Sequence, residues 1–140
     1  MKKINFSPID NLLYKYILYI MKFCGNWSGC GEIVNLNVIT NAVSIDNYAI
    51  NLKIIEQTKN IFILRGSVVG DNKIPNNFNI IGYYNPNTQC IEASEKSGNG
   101  ITTTYIKDNH LYHRASVSNG NSKSNTNFAA TFKLSKEHCN

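Results

Sequence analysis

Histidine, cysteine and arginine are the side chains of this 140-residue chain best able to do chemistry, and their spacing assigns them little. His110 and His113 are three apart in a segment with strand-like alternation. They therefore point to opposite faces and do not share a metal ion. His138 is the third histidine. The cysteines are Cys24, Cys30, Cys90 and Cys139, with no Cys-x-x-Cys pair and no quartet of zinc spacing. An even number permits disulfides, but the reading adopted is four free thiols in a cytoplasmic protein. Arg65 or Arg114, if turned into a cavity, is suited to pair with a carboxylate head group. No Ser-His-Asp order, paired acidic motif or phosphate loop stands out. Gly98-Asn99-Gly100 is a turn, because no helix follows it. No catalytic residue and no metal ligand is assigned, and the chemistry left is binding.

Binding needs a scaffold, and composition bounds it. The length suits one domain with a real core. Hydrophobic residues make up 42%, with eight Tyr, six Phe and one Trp, so a packed globule is expected rather than disorder. The net charge is +5, but Lys53, Lys59, Arg65, Lys73, Lys96, Lys107, Arg114 and Lys123 are scattered singly. A nucleic-acid binder would gather such charge with aromatics on one face, so no nucleic-acid partner is expected.

Residues 1–24 form the first segment. Met1-Lys2-Lys3 and the apolar residues after it resemble a secretion signal. However, Pro8, Asp10 and Lys15 interrupt the run, and no small-x-small cleavage site follows. Phe23-Cys24 also lacks the small residue of a lipoprotein signal, and the stretch is too short to span a bilayer. It reads as a helix. Ser7 caps it, Pro8 fits its first position and Asp10 meets the positive end of its dipole. Ile9, Leu12, Leu13, Tyr16, Ile17 and Ile20 share one face, which is expected to cover an end of the fold. A membrane-surface contact or a homodimer through this helix is the sharper alternative.

From Trp27 the apolar period changes to two. Strands are expected over Trp27–Ile39, around Ile50-Leu52-Ile54, and over Ile61–Leu64, Phe78–Tyr84, Cys90–Ala93, Ile101–Ile106, Leu111–Val117 and Phe128–Leu134. Turn signals separate them at 58–60, 70–72, 85–87, 98–100, 107–109 and 118–120, rich in the Asn, Asp and Gly that tolerate positive φ. Such short connections make neighbours antiparallel. About eight antiparallel strands in sequence predict an all-β, up-and-down barrel over residues 25–136, with a tail at 137–140. A β-sandwich is the competing arrangement. The polar stretch Asn119–Asn127 is read as a mobile loop bordering a cavity mouth.

Gly25-Asn26-Trp27-Ser28-Gly29-Cys30-Gly31 opens the strand region. Gly25-x-Trp27 after a short helix resembles the entrance of lipocalins, where the Trp packs across the closed end. Gly29 and Gly31 extend the likeness to nitrobindin-type haem barrels, with Ile81-Gly82-Tyr83, Gly98-Asn99-Gly100-Ile101-Thr102 and Phe128-Ala129-Ala130-Thr131-Phe132 as further matches. The resemblance runs over roughly residues 20 to 135. It implies a small barrel of the calycin type, structural roles for Gly25, Trp27, Gly29 and Gly31, and a Cys90–Cys139 bridge in an oxidising compartment. Nitrobindin-type barrels carry an iron-binding His just before the closing strand, whereas the matching residue here is Asn127. The usual haem ligand is lost, leaving His110, His113 and His138 as substitutes.

The expected function is non-catalytic binding of a small, mostly apolar ligand, a fatty acid or similar, by burial of its surface. The expected lining is Ile50, Leu52, Ile54, Phe62, Leu64, Tyr84, Tyr105, His113 and Phe132, with Arg65 or Arg114 at the head group. A haem barrel with a non-standard axial ligand and a ligand-free interaction module are the alternatives.

Overall fold

Residues 7–94, 100–118 and 126–137 are described by the computed structural model; for Tyr16, Tyr19 and Thr126 the description is of the backbone alone. One helix, α1 (Pro8–Met21), precedes eight strands. These are β1 (Gly25–Asn37), β2 (Val43–Thr58), β3 (Ile61–Val69), β4 (Asn76–Asn85), β5 (Cys90–Ser94), β6 (Gly100–Lys107), β7 (His110–Val117) and β8 (Thr126–Lys136). Each strand pairs antiparallel with the next, and β1 pairs with β8, so the sheet is a closed up-and-down barrel. Closure gives every strand two neighbours, which limits the free edge open to association.

Local chemistry explains the helix start. The Ser7 Oγ accepts from the Asp10 amide at 3.2 Å, while the Asp10 carboxylate accepts from the Ser7 amide at 3.3 Å and from its hydroxyl at 2.6 Å. Two otherwise unsatisfied donors are thus met reciprocally, with Asp in the place usually taken by Glu. The helix covers the barrel end only through its last turn. Ile20 and, just beyond, Phe23 are buried, whereas Ile9 is 77% exposed, and Leu12, Leu13 and Ile17 of the same face are also exposed.

The turns follow the predicted punctuation at Asn60, Asp108 and Asn109, all with positive φ. Asp108 and Asn109 make a two-residue link between β6 and β7, and positive φ at both central residues matches the twist of the strands they join. The β1–β2 link at 38–42 carries no such sequence signal, although Asn41 has φ 57° and the Asn37 side chain accepts from the amides of Ile39 and Thr40. The first five residues of β2, before Tyr48, likewise lack buried alternation, because this hairpin stands clear of the core. The expected loop at Asn119–Asn127 ends earlier, since Thr126 and Asn127 pair with Asn37 and Leu36 in β8. Asn119 to Asn125, Gly98, Asn99, His138 and Cys139 lie outside the described residues.

The β1 glycines serve closure. A Cβ on Gly29 would run into the Lys133 carbonyl and lie 2.9 Å from the Leu134 Cα. One on Gly31 would meet the Thr131 carbonyl and lie 2.6 Å from the Phe132 Cδ1. Only glycine lets β1 and β8 approach this closely. Trp27, 3% exposed, closes the end from which α1 enters, and its Nε1 donates to the Phe23 carbonyl at 2.9 Å. The Lys136 ammonium stands 5.4 Å from the indole centroid and donates to the Lys22 carbonyl at 3.3 Å.

Candidate ligand-binding cavity

Parity sorts the expected lining into three groups. Leu52, Ile54, Phe62, Leu64 and Tyr84 point inward but fill the closed half as solid core with Trp27, Ile20 and Phe23. The Phe23 ring lies 6.3 Å from Phe62 and 5.9 Å from Tyr84, plugging that end with edge contacts favourable to aromatic rings. Ile50, His113 and Phe132 line an actual cavity. Arg65, Tyr105 and Arg114 face outward, which corrects their expected place in the lining. Neighbouring inward positions fix their parity: Leu64 beside Arg65, Thr104 beside Tyr105, His113 beside Arg114. On the outer face Tyr105 stacks with its register partner Tyr112, ring centroids 5.2 Å apart, and the Arg114 guanidinium lies 5.3 Å from the Tyr105 centroid. Arg65 borders a broad polar depression with Asn51, Lys53, Ser67 and Asn77.

The cavity has a volume of about 180 Å³ and sits toward the end where β1 joins β2 and β3 joins β4. Its walls are Ile33, Ile50, Val68, Asn76, Phe78, Ile80, His113, Ala115, Phe128, Ala130 and Phe132. Register explains why space remains. Ala93 stands opposite Thr102, Thr102 opposite Ala115, and Ala115 opposite Ala130, so four adjacent strands present small side chains at one level. One step toward the closed end the row is Ile91, Thr104, His113 and Phe132, and its His113 and Phe132 form the floor.

His113 is the polar feature of that floor. It is 3% exposed, and its Nδ1 lies 2.8 Å from the hydroxyl of fully buried Thr104. Its ring is nearly parallel to that of Phe78 at 6.0 Å and tilted against Phe132 at 6.5 Å. Desolvation by burial lowers its pKa to about 4, so at neutral pH the imidazole is uncharged. A neutral ring offers one donor and one acceptor nitrogen; Thr104 engages Nδ1, and no partner binds Nε2 among the described residues. His110 sits on the opposite face, its Nδ1 2.9 Å from the Asp108 carbonyl.

Haem fits these residues poorly. Pockets for drug-sized ligands run to about 300–1,000 Å³, and this cavity is smaller. Among the described residues, no cluster of three His, Cys, Asp or Glu side chains could hold a metal ion. Cys24, Cys30 and Cys90 are free thiols. No helix among the described residues is long and apolar enough to cross a membrane.

Sequence reading missed Phe78, Ala115, Phe128 and Ala130 in the lining, and Thr104 behind His113. Phe78 shares parity with Ile80 and Tyr84 and was within reach of a count along β4. Thr104 and the alanines carry no apolar signal strong enough to mark an inner face.

No protein-family profile matches the chain, and no curated protein matches it in sequence. Among solved structures the barrel is similar to the siderocalin Ex-FABP, which is described as functioning through dual ligand specificities. The two share 6% identity and a TM-score of 0.53, over 83% of this chain and 74% of that one. At that identity the likeness is one of fold, and it agrees with the closed eight-stranded barrel and its N-terminal helix. The chain thus has the fold of a closed eight-stranded up-and-down barrel like that siderocalin's.

Proposed function

We propose that this protein binds one small, mostly apolar molecule inside its barrel. The observation that carries this reading is the cavity itself, walled by Ile50, Val68, Phe78, Ile80, Phe128 and Phe132 and floored by an uncharged histidine. Binding would be driven by removal of apolar surface from water, with His113 fixing orientation. The dual ligand specificities named for the similar siderocalin support ligand binding as a use of this fold. A fatty-acid carboxylate would find no inward arginine here, since Arg65 and Arg114 are outside. A reducing, cytoplasmic setting belongs to the same reading, because free Cys24, Cys30 and Cys90 persist there.

The test is extraction of the purified protein and mass spectrometry of co-purified small molecules, alongside Ala130→Leu, which fills the cavity. A compound present in the wild type and absent from a folded Ala130→Leu supports the reading. Equal recovery from both, or no compound and no uptake of added apolar probes, overturns it.

The exposed face of α1 favours a second role, contact with another copy of the chain. Ile9, Leu12, Leu13 and Ile17 leave apolar area in water that a dimer would cover. Light scattering of the wild type against a Leu12→Glu/Ile17→Glu variant decides it. A monomer in both would sink the dimer.

A further inference from the structure

We propose that His113 carries its ring proton on Nε2 and presents that N–H to the cavity, which selects an uncharged ligand bearing a hydrogen-bond acceptor, of the class of a compact ketone; this rests on the ligand-binding reading above. The hydrogen bond behind the ring sets the tautomer. Thr104, the register partner of His113, is 0% exposed, and its Oγ1 lies 2.8 Å from the His113 Nδ1. The Thr104 hydroxyl has no other hydrogen-bond partner among the described residues. A hydroxyl has one proton to donate and lone pairs with which to accept. If Thr104 accepted from an Nδ1–H, its own proton would be buried without an acceptor, the arrangement that folding penalises. If Thr104 donates to a bare Nδ1, the pair is satisfied. A neutral imidazole then bears its proton on Nε2.

That N–H opens on the cavity. His113 is a lining residue, and no described residue is hydrogen-bonded to its Nε2. Among the described residues, the Thr102 Oγ1 is the only buried side-chain polar atom that is both unpartnered and without accessible surface. The unpartnered Nε2 therefore keeps some surface, and in a residue only 3% exposed that surface borders the cavity it lines. Phe78, nearly parallel at 6.0 Å, and Phe132, tilted at 6.5 Å, fix the plane of the ring and so the direction of the N–H.

The other walls describe the rest of the ligand. Asn76, the second polar side chain of the lining, is exposed at the start of β4, and the remaining lining is apolar. No charged side chain stands there, since burial keeps His113 neutral, so a carboxylate would be desolvated with no cation beside it. A volume of about 180 Å³ is near the roughly 150 Å³ of engineered cavities that admit benzene, which suits a single six-membered ring and not a long chain. A ligand with no acceptor would leave the buried N–H unpaired.

Two measurements on the full chain test this. Long-range proton–nitrogen NMR correlations of the nitrogen-labelled protein at pH 7 show which ring nitrogen of His113 is protonated, and Nε2 is expected. The same spectra then follow titration with cyclohexanone, with its hydrocarbon isostere methylenecyclohexane and with cyclohexanecarboxylate, in the wild type and in His113→Leu. The ketone-to-hydrocarbon affinity ratio is expected to fall about tenfold in His113→Leu, the value of one well-formed hydrogen bond. A proton mainly on Nδ1, or carboxylate bound as tightly as ketone, overturns the proposal. An unchanged ratio with both probes taken up overturns it while leaving the ligand-binding reading intact. Uptake of no probe overturns it and, with nothing co-purified, that reading too. If His113→Leu fails to fold, the tautomer in the wild type decides.

Discussion

The Trp27 indole donates to the carbonyl of Phe23 at 2.9 Å, tying the first barrel strand to the chain that emerges from α1. Phe23 is fully buried between Phe62 and Tyr84, so the same segment supplies both the clip and the plug. Phe23→Ala should cost about 3–5 kcal/mol, as expected for a large aromatic removed from a packed core. Trp27→Phe keeps most of the ring but removes the Nε1 donor to the Phe23 carbonyl, and should cost about 1 kcal/mol. Urea denaturation measures both. A loss under 1 kcal/mol in Phe23→Ala would mean that the closed end is not packed as described.

The buried His113 makes stability fall in acid. Its folded pKa is about 4 against 6.5 unfolded, so between those values the unfolded chain binds a proton that the native state refuses. The contribution is fully present above pH 6.5 and is lost progressively as pH falls toward 4, to a total of about 3 kcal/mol at 1.36 kcal/mol per unit. In His113→Leu the pH dependence across that window should flatten, whatever the variant's absolute stability. Denaturation midpoints at pH 7, 5.5 and 4 decide it. Identical slopes in the two proteins, or an imidazole that titrates near 6.5 by NMR, would remove the effect.

Gly31 faces Phe132 across the β1–β8 seam, where a methyl group would press on the Phe132 ring and the Thr131 carbonyl. The backbone carbonyl cannot swing away without breaking the ladder. Gly31→Ala should therefore destabilise by about 1–3 kcal/mol, the cost of overpacking. Ala at Gly70, where the nearest atoms belong to the half-buried Tyr48 ring, should be milder because a side chain can shift where a backbone carbonyl cannot. Equal losses at the two sites would show that the seam is not close-packed.

Legibility in the sequence tracks how much each position depends on its own neighbours. The Ser7-Pro8-Asp10 start and the Asp108-Asn109 turn are local chemistry and are readable from the sequence. Alternation fixed Ile50, Leu52 and Ile54 on the inner face, because period two in an amphipathic strand has one solution. It failed for Tyr105 and Arg114, since β6 and β7 carry large side chains on both faces and their polar inner residues, Thr102, Thr104 and His113, disguise the parity. The cavity was not legible at all. It exists because small residues on four strands reach one level, and that coincidence lives in the register between strands.

The outward arginines give a test of how a ligand is held. Were Arg65 or Arg114 a head-group partner, its loss would weaken a carboxylate ligand far more than a neutral one. Both are exposed, Arg114 resting over the outer face of Tyr105, and β3 and β7 separate them from the cavity. Water and salt screen charges placed there. Arg65→Ala and Arg114→Ala should therefore leave the affinity for toluene, and any affinity for dodecanoate, within about twofold, the scale of ordinary surface substitutions. The measurement is competitive calorimetric titration at low and at physiological salt. A tenfold loss confined to dodecanoate in either variant would place that guanidinium at the ligand and would require a rotated β3 or β7. Unchanged affinity in both leaves His113 and Asn76 as the polar side chains of the described lining that a ligand meets.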